Sequence, residues 1–564
     1  MSCFSATIND ALCSVAACTV AFAAFFLFFT PAFQTVDDPV MMLIAAGGYG
    51  TGPSPLLIHS HVLIGWILSG MFSLSNSVNW YSLYLYAIHA VSACVILFCF
   101  LRSFGRAAGM AAWILLVALW ILPFLLQLQF TTTAWMAGAA SIALASYGPR
   151  ANTRRLRASR TISVVLMVLA AMLRSYSLVL LVPVAAAALY GHRRSPRLRP
   201  FAITLAFAFL AAGAVVLTNQ IPYRLGTEWD HYTEYAGLRV NYDRANFINP
   251  AVVGVLPKAG WSQNDFQILR AGLEFDDGIF SIAQLQALKD EAAALPWSSG
   301  EISRRLGEEA RRYWRDFCIA VLCGLSLATM PRRNAREGVT ATLLVAAVVV
   351  AMSAALVVWL KLPRRVVEPL LMGIALAPVF LPSDPVANHG VQQPARSRNI
   401  TLAAVVVVLC ALAVQNFASL RKTSLWYAGR NAKITAWVDA ALADPARRDA
   451  VYISRALPLT WLPVFDGPAK LLRLKLIHAG WTTHTPIYQR RLASWGIDSI
   501  YSALLDRSNT YLIIHPQYET SVREFYREHR DTTVRLAEIE RLRAGPNSDV
   551  AVYQIVRDES GVSR

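Results

Sequence analysis

Residues 35–47 read Thr35-Val36-Asp37-Asp38-Pro39-Val40-Met41-Met42-Leu43-Ile44-Ala45-Ala46-Gly47. Two adjacent carboxylates follow the first long apolar run, and the loop 34–80 that contains them has no Lys or Arg. In a polytopic membrane protein, a short loop without basic residues lies away from the cytoplasm. An acid held at a membrane surface is costly, which points to a function. Asp38 is the expected N-cap of a short juxtamembrane helix, with Pro39 at its first position and Gly47 as its stop. That leaves Asp37 unexplained. Adjacent carboxylates at a helix N-terminus repel each other but gain from the dipole, so at least one is expected to be ionised. An ionised carboxylate in a membrane-facing cleft can accept a proton from a hydroxyl. Asp37 and Asp38 are therefore the candidate catalytic residues.

The surrounding chain supports a membrane setting. Of 564 residues, 55% are hydrophobic and only 15% are charged, against about one quarter charged in a soluble domain. Apolar runs recur along the first 420 positions, most of them near the length that crosses a bilayer. The net charge of +17 falls mostly in short basic clusters between these runs, which is a topology signal and not a nucleic-acid footprint. All eight cysteines lie at the N-terminus or in apolar runs, and none has C-x-x-C spacing. Neither a disulfide framework nor a metal-binding Cys motif is expected. The first apolar run lacks a basic n-region and is expected to be a retained helix.

Eleven spans are expected, at 11–33, 81–101, 107–128, 131–148, 161–174, 177–191, 200–221, 315–330, 339–360, 366–382 and 400–418. Basic clusters lie at Arg102 and Arg106, at 150–160, 192–199 and 332–336, and at Arg396 with Arg398. All of them face the cytoplasm if the N-terminus is cytoplasmic and 56–74 does not cross, which makes 56–74 interfacial or re-entrant. The pair 161–174 and 177–191 suggests two half-length or tilted helices meeting at Arg174-Ser175-Tyr176. Four segments follow: an N-terminal transmembrane module, 1–221, with the acidic outer loop; an outer-face region, 222–314; further transmembrane helices, 315–418; and a periplasmic tail, 419–564. The tail mixes helical patterns (434–442, 521–529) with short β-like runs (450–454, 510–515, 550–556) and is expected to form a small α/β domain. The expected fold class is a polytopic α-helical membrane protein of the bacterial inner membrane.

Further landmarks follow in order. Pro53-Ser54-Pro55 rigidifies the entry to an apolar interfacial helix, and His59 and His61 lie in that entry. Asn79-Trp80-Tyr81-Ser82-Leu83 opens a span that ends at Arg102. Leu173-Arg174-Ser175-Tyr176 lies between the two short helices. Leu362-Pro363-Arg364-Arg365-Val366-Val367-Glu368-Pro369 opens a late span. This order resembles the GT-C superfamily of integral-membrane glycosyltransferases, and within it the polyprenyl-phosphate mannosyltransferases and the aminoarabinose transferase. The resemblance covers about residues 1–200 and the Arg364 region. It implies a polyprenyl-phosphate-linked sugar donor, a catalytic acid in the first outer loop acting as base, and inversion at the anomeric carbon. Asp37 matches the family's first acid, and Asp38 stands where the second is often Glu. Relatives frequently carry another acid at the outer start of the fourth span. Here that stretch is Gln129-Phe130-Thr131-Thr132-Thr133-Ala134-Trp135, without a carboxylate.

A sugar on polyprenyl phosphate is already activated, so the enzyme needs a base for the acceptor hydroxyl and cations for the departing phosphate. Arg174, Lys361, Arg364 and Arg365 are the candidate cations, since an Arg fork bonds two phosphate oxygens. His59, His61 and Tyr176 complete the expected substrate-binding set. Glu274, Asp276 and Asp277 form an acidic run that can take a divalent ion but is more simply a solvated face. No cofactor is required, and a metal is dispensable where arginines stabilise the leaving phosphate. The expected partners are the lipid-linked donor, a glycan or glycolipid acceptor, and membrane lipid, with no nucleic acid. The alternatives are a lipid-linked oligosaccharide polymerase, a transporter or flippase of a lipid-linked sugar, and an inactive scaffold.

Overall fold

The computed structural model describes residues 2–147, 153–193, 198–224, 227–240, 250–295, 299–330, 335–360, 362–381, 396–543 and 549–558. Helix α1 (Ser2–Phe28) leads to the acidic stretch, where α2 spans Asp37–Ala46. Gly47 ends α2 as expected. It sits at φ +94°, and the amides of Gly47 and Gly48 donate to the carbonyls of Ile44 and Leu43. A residue with a Cβ adopts that backbone only with strain. The expected cap is overturned. Val36 holds the N-cap position without a side-chain bond, and Asp38 is buried and turned inward. The interfacial helix α3 (Val62–Leu74) starts later than expected, because 55–61 is an irregular loop. Its 13 residues extend about 20 Å, too short to cross a bilayer core of about 30 Å.

Six helices among the described residues are long and apolar enough to cross a membrane: Thr7–Phe28, Trp80–Phe104, Arg106–Leu126, Leu198–Arg224, Arg336–Trp359 and Val405–Ala443. Helices occupy the other expected runs too, but they are shorter or carry more charge. These include α7 (Phe130–Ser146), α8 (Thr153–Leu173) and α9 (Tyr176–Gly191). Helix α8 is longer than the half-length helix expected, because its basic N-terminal residues extend it. Helix α7 is buried along its whole length, so its neighbours and not lipid surround it. Large apolar side chains left exposed, such as Leu12, Val20 and Leu27 on α1 and Phe207, Leu210 and Leu217 on α10 (Leu198–Thr218), present a lipid-compatible surface.

Helix α4 (Trp80–Phe104) runs antiparallel to α1. At one end of the pair, Arg102 and Arg106 bond Asp10 at 3.0 and 2.8 Å. At the other end, Tyr81 bonds Asp38. The span Arg106–Leu126 is made of α5 (Arg106–Leu116) and α6 (Leu122–Leu126), joined by a π-helical turn at Val117–Ile121. Pro123 follows this turn and lacks the amide an α-helix needs there, and Asn416 donates to the Ala118 carbonyl at 2.7 Å. Beyond it, strands β1 (Ala32–Phe33) and β2 (Gln127–Leu128) pair in parallel. This stitches the chain before Asp37 to the chain before Phe130.

The tail folds around a five-stranded sheet of β3 (Val451–Ser454), β4 (Lys475–His478), β5 (Thr510–Ile514), β6 (Val534–Leu542) and β7 (Val550–Arg557). The spatial order is β4-β3-β5-β7-β6. Strands β3, β4 and β5 are parallel, and β7 runs antiparallel to both β5 and β6. A continuous helix, Arg396–Ala443, leads from the bundle into this sheet. The three segments expected on one side of the membrane pack together here. Tyr49 donates to the His478 carbonyl at 3.1 Å and Arg491 to the Gly50 carbonyl at 3.2 Å. Tyr232 donates to the Trp481 carbonyl at 3.1 Å, and Tyr501 to the Leu273 carbonyl at 2.7 Å.

Candidate active site

Asp38 is fully buried, and its carboxylate accepts three hydrogen bonds. Oδ1 takes the Tyr81 hydroxyl at 2.9 Å and the Phe130 amide at 3.0 Å, and Oδ2 takes the Thr35 hydroxyl at 3.3 Å. The Phe130 amide is free to donate because it opens α7, where the first amides have no intrahelical partner. Gln129 takes the next two, from Thr131 and Thr132. The stretch without a carboxylate thus supplies a donor to Asp38. Burial, and after it the charge of Asp37, pushes the Asp38 carboxyl up to about 8. Near neutral pH it is largely protonated and ties α2, α4 and α7 together. A base for a substrate hydroxyl must be ionised and reachable, and of the two acids only Asp37 is partly exposed.

Asp37 lies one position back on α2 and faces out of the helix packing. Its Oδ2 is 3.3 Å from Arg365 Nη1. Arg174 occupies the break between α8 and α9, as expected. Its guanidinium lies 5.1 Å from the ring centroid of Phe130 and 5.2 Å from that of Tyr176. Burial pushes the Arg174 guanidinium down, and the charge of Asp37 opposes this most strongly. The break is held by the loop before α3. The His61 amide donates to the Met172 carbonyl at 2.7 Å and Ser60 Oγ to the Leu173 carbonyl at 3.0 Å. These are carbonyls that the end of α8 leaves open.

His59 joins this group. Its ring centroid is 4.3 Å from that of Trp481 and 6.2 Å from that of Phe130. Burial, and then the charge of Arg174, pushes its imidazole down to about 3, which favours the neutral ring over a cation. The residue before it, Ile58, has φ +70°. A β-branched side chain rarely tolerates that geometry, and the Tyr223 hydroxyl receives the Ile58 amide at 3.0 Å.

The other expected residues lie elsewhere. His61 is structural, because Nδ1 accepts the Leu63 amide at 3.1 Å and Nε2 meets the Val215 carbonyl at 2.8 Å. Arg364 opens the late helix Arg364–Leu376 beside Arg365 but turns away from Asp37. It pairs with Glu368 and lines a separate cavity with Arg312, Arg315 and Asp316. One step along a helix is about 100° of rotation, which separates these neighbours. Lys361 lies outside the described residues. Tyr81 and Phe130 stood out from the sequence only as members of landmark stretches, and Trp481 and Arg455 not at all, since each reaches the site only through tertiary packing. Burial pushes the Arg455 guanidinium down, and the charges of Glu274 and Asp37 act on it in the opposite sense.

The acidic run is not a bare solvated face. Arg239 pairs with Glu274, Arg530 with Asp276 at 2.8 Å, and His484 with Asp277 at 2.7 Å. The His484 Nε2 is 3.1 Å from the Glu274 carbonyl, which can only accept. Nε2 therefore carries a proton, and Nδ1 faces Asp277. With His231 this makes three ligand atoms within 4.8 Å of one another. Asp265, Glu528 and His529 form a second such group among the described residues.

No protein-family model matches the chain, and no curated protein matches it. Solved structures do align along it. The crystal structure of ArnT from Cupriavidus metallidurans bound to undecaprenyl phosphate aligns over 96% of this chain and 97% of its own, with 13% identity and a TM-score of 0.42. The apo form of the same protein aligns over 97% and 98%, with 12% identity and a TM-score of 0.41. Likeness at this level assigns neither a family nor a reaction, so function rests on the residues themselves.

Proposed function

We propose that this chain is a membrane glycosyltransferase. It moves a sugar from a polyprenyl-phosphate donor to a hydroxyl of an envelope glycan or lipid, on the outer face of the bacterial inner membrane. The observation that carries the reading is the meeting of Asp37 with Arg365, beside Arg174, at the end of the bundle covered by the α/β tail. A base and phosphate-binding cations in one place are what the reaction needs. The opposite end, where Arg102 and Arg106 hold Asp10, is then cytoplasmic, in keeping with the positive-inside bias.

In this mechanism Asp37 takes the proton of the acceptor hydroxyl as its oxygen attacks the anomeric carbon. The bond from that carbon to the phosphate oxygen breaks, and its electron pair stays on the phosphate. Attack from the opposite side inverts the anomeric centre. The donor phosphodiester carries one negative charge, and the polyprenyl phosphate released carries up to two. Protonation of Asp37 neutralises the partner of Arg365, so its guanidinium becomes available as charge builds on the leaving group. Proton uptake and phosphate stabilisation are thereby coupled through one ion pair.

Asp37→Asn tests the reading in cells profiled for envelope glycans and lipid-linked sugars. The expected result is loss of one modification at normal protein level. A full set of products in the Asp37→Asn strain would end the transferase reading.

A further inference from the structure

Strand β3 sits between β4 and β5 in the sheet, although the chain visits them in the order β3, β4, β5. The connection from β3 runs to β4 on one side, whereas β5 leads to β6 and β7 on the other, so the direction reverses between β3 and β5. In open sheets of parallel strands, ligands bind outside the carboxyl ends of the strands at such a reversal. Arg455 is the first residue past the carboxyl end of β3, and His478 is the last of β4, paired in register with Ser454. The crevice faces the bundle. Trp481, three residues past β4, packs on His59, and Asp37 is among the charges acting on Arg455.

Polar atoms here are buried and lack partners among the described residues. His478 is 5% exposed, and neither ring nitrogen has a hydrogen-bond partner. Arg455 Nε is likewise buried without one. Glu274 is fully buried and bonds Arg239 through Oε1, while its Oε2 is unpartnered. Leaving such groups unpaired is expensive unless a ligand completes them. Gly272 makes room for the guanidinium, since a Cβ there would lie 2.1 Å from Arg455 Nε.

The positive charges near Asp37 are unequally committed. Arg365 is paired with Asp37, and Arg174 is packed between two rings. Arg455 has a donor to spare. We propose that Arg455, with His478 beside it, forms a phosphate-binding subsite on the α/β tail that grips the donor's polyprenyl-linked phosphate from the side opposite the membrane. The proposal rests on the transferase reading above and adds a residue from the tail to its donor site. The tail then works as part of the binding site. The rival role for Arg455 is a structural counter-ion to Glu274.

The test uses the full-length protein in lipid nanodiscs, titrated with undecaprenyl phosphate and, separately, with undecaprenol. Wild type is expected to bind the phosphate form at least tenfold more tightly. Arg455→Gln is expected to lose at least tenfold in affinity for undecaprenyl phosphate while binding undecaprenol unchanged. Arg455→Lys keeps the charge without the planar fork and is expected to fall three- to tenfold. Wild-type affinity in Arg455→Gln overturns the subsite. If that variant does not fold, wild-type affinity in Arg455→Lys does so instead. A wild-type protein that fails to distinguish the two lipids removes the transferase reading itself, a different failure from selectivity that survives loss of Arg455.

Discussion

Arg365 Nη1 lies 3.3 Å from Asp37 Oδ2, joining positions 328 residues apart. The pair is partly exposed, with 32% of the arginine and 16% of the aspartate side chain accessible. Such a pair adds only about 0–1 kcal/mol to stability. Asp37→Asn is therefore expected to leave the thermal midpoint nearly unchanged while lowering transfer about 10²–10⁴-fold, the usual worth of a positioned base. Melting curves and a transfer assay on the same preparation check both halves. A large drop in midpoint would recast Asp37 as structural.

Arg364 and Arg365 are adjacent but face different neighbours, so they should behave differently. Arg365→Ala is expected to reduce transfer at least tenfold. Arg364→Ala, which loses its pair with Glu368, is expected to stay within about threefold of wild type, since a partly exposed ion pair is worth little. Equal losses in kcat/KM would mean that both touch substrate.

Asp38 makes stability depend on pH. Burial, and then Asp37, raises its carboxyl from 3.8 to about 8. An acid whose folded-state pKa is raised favours the folded state below its unfolded value and loses that contribution as pH rises through the folded value. The contribution is complete below pH 3.8 and gone above about 8. The wild-type midpoint should thus carry a downward component across this window. Asp38→Asn keeps an oxygen for Tyr81 and Phe130 and should flatten it. Parallel wild-type and Asp38→Asn profiles would contradict the assignment.

Removing that acceptor altogether costs more. Asp38→Ala strands the buried Tyr81 hydroxyl and Phe130 amide, at about 1–3 kcal/mol each. Tyr81→Phe in the same background should recover part of the loss by removing one stranded donor. A double-mutant cycle without such recovery would place the damage elsewhere.

Ile58 holds a left-handed backbone at φ +70°. A residue other than glycine pays about 1–2 kcal/mol for this. Ile58→Gly should be more stable than Ile58→Ala by about that amount, although glycine normally destabilises. Its transfer rate should nevertheless fall, because His59 loses the rigid turn that aims it. A glycine variant less stable than the alanine variant would show that no strain is stored there.

Much of the helical layout was legible because hydropathy is a local property. A run such as 81–101 must find an apolar environment wherever it goes, and helix α4 occupies it. The break at Arg174 and the stop at Gly47 were equally local, set by a charge between two apolar runs and by backbone freedom. The strand runs near 451, 510 and 550 showed in their β-branched content, while β4 and β6, with charges along them, did not. Asp38 misled because its neighbours look like a cap signal, yet its bonds go to Tyr81 and Phe130, which α4 and α7 deliver from far along the chain. Arg364 and Arg365 were indistinguishable, since only the phase of their helix separates them.

Residue order alone determined that the chain is dominated by apolar helices, that charge gathers at their ends, and that Asp37 and Asp38 were candidates to meet Arg174, Lys361, Arg364 and Arg365, because hydration costs act on each residue where it stands. Only the packed bundle and its covering sheet decided which acid is buried, which arginine meets Asp37, and that Arg455 comes near it. Those choices depend on helix rotation and on contacts between segments hundreds of residues apart, which no local preference encodes.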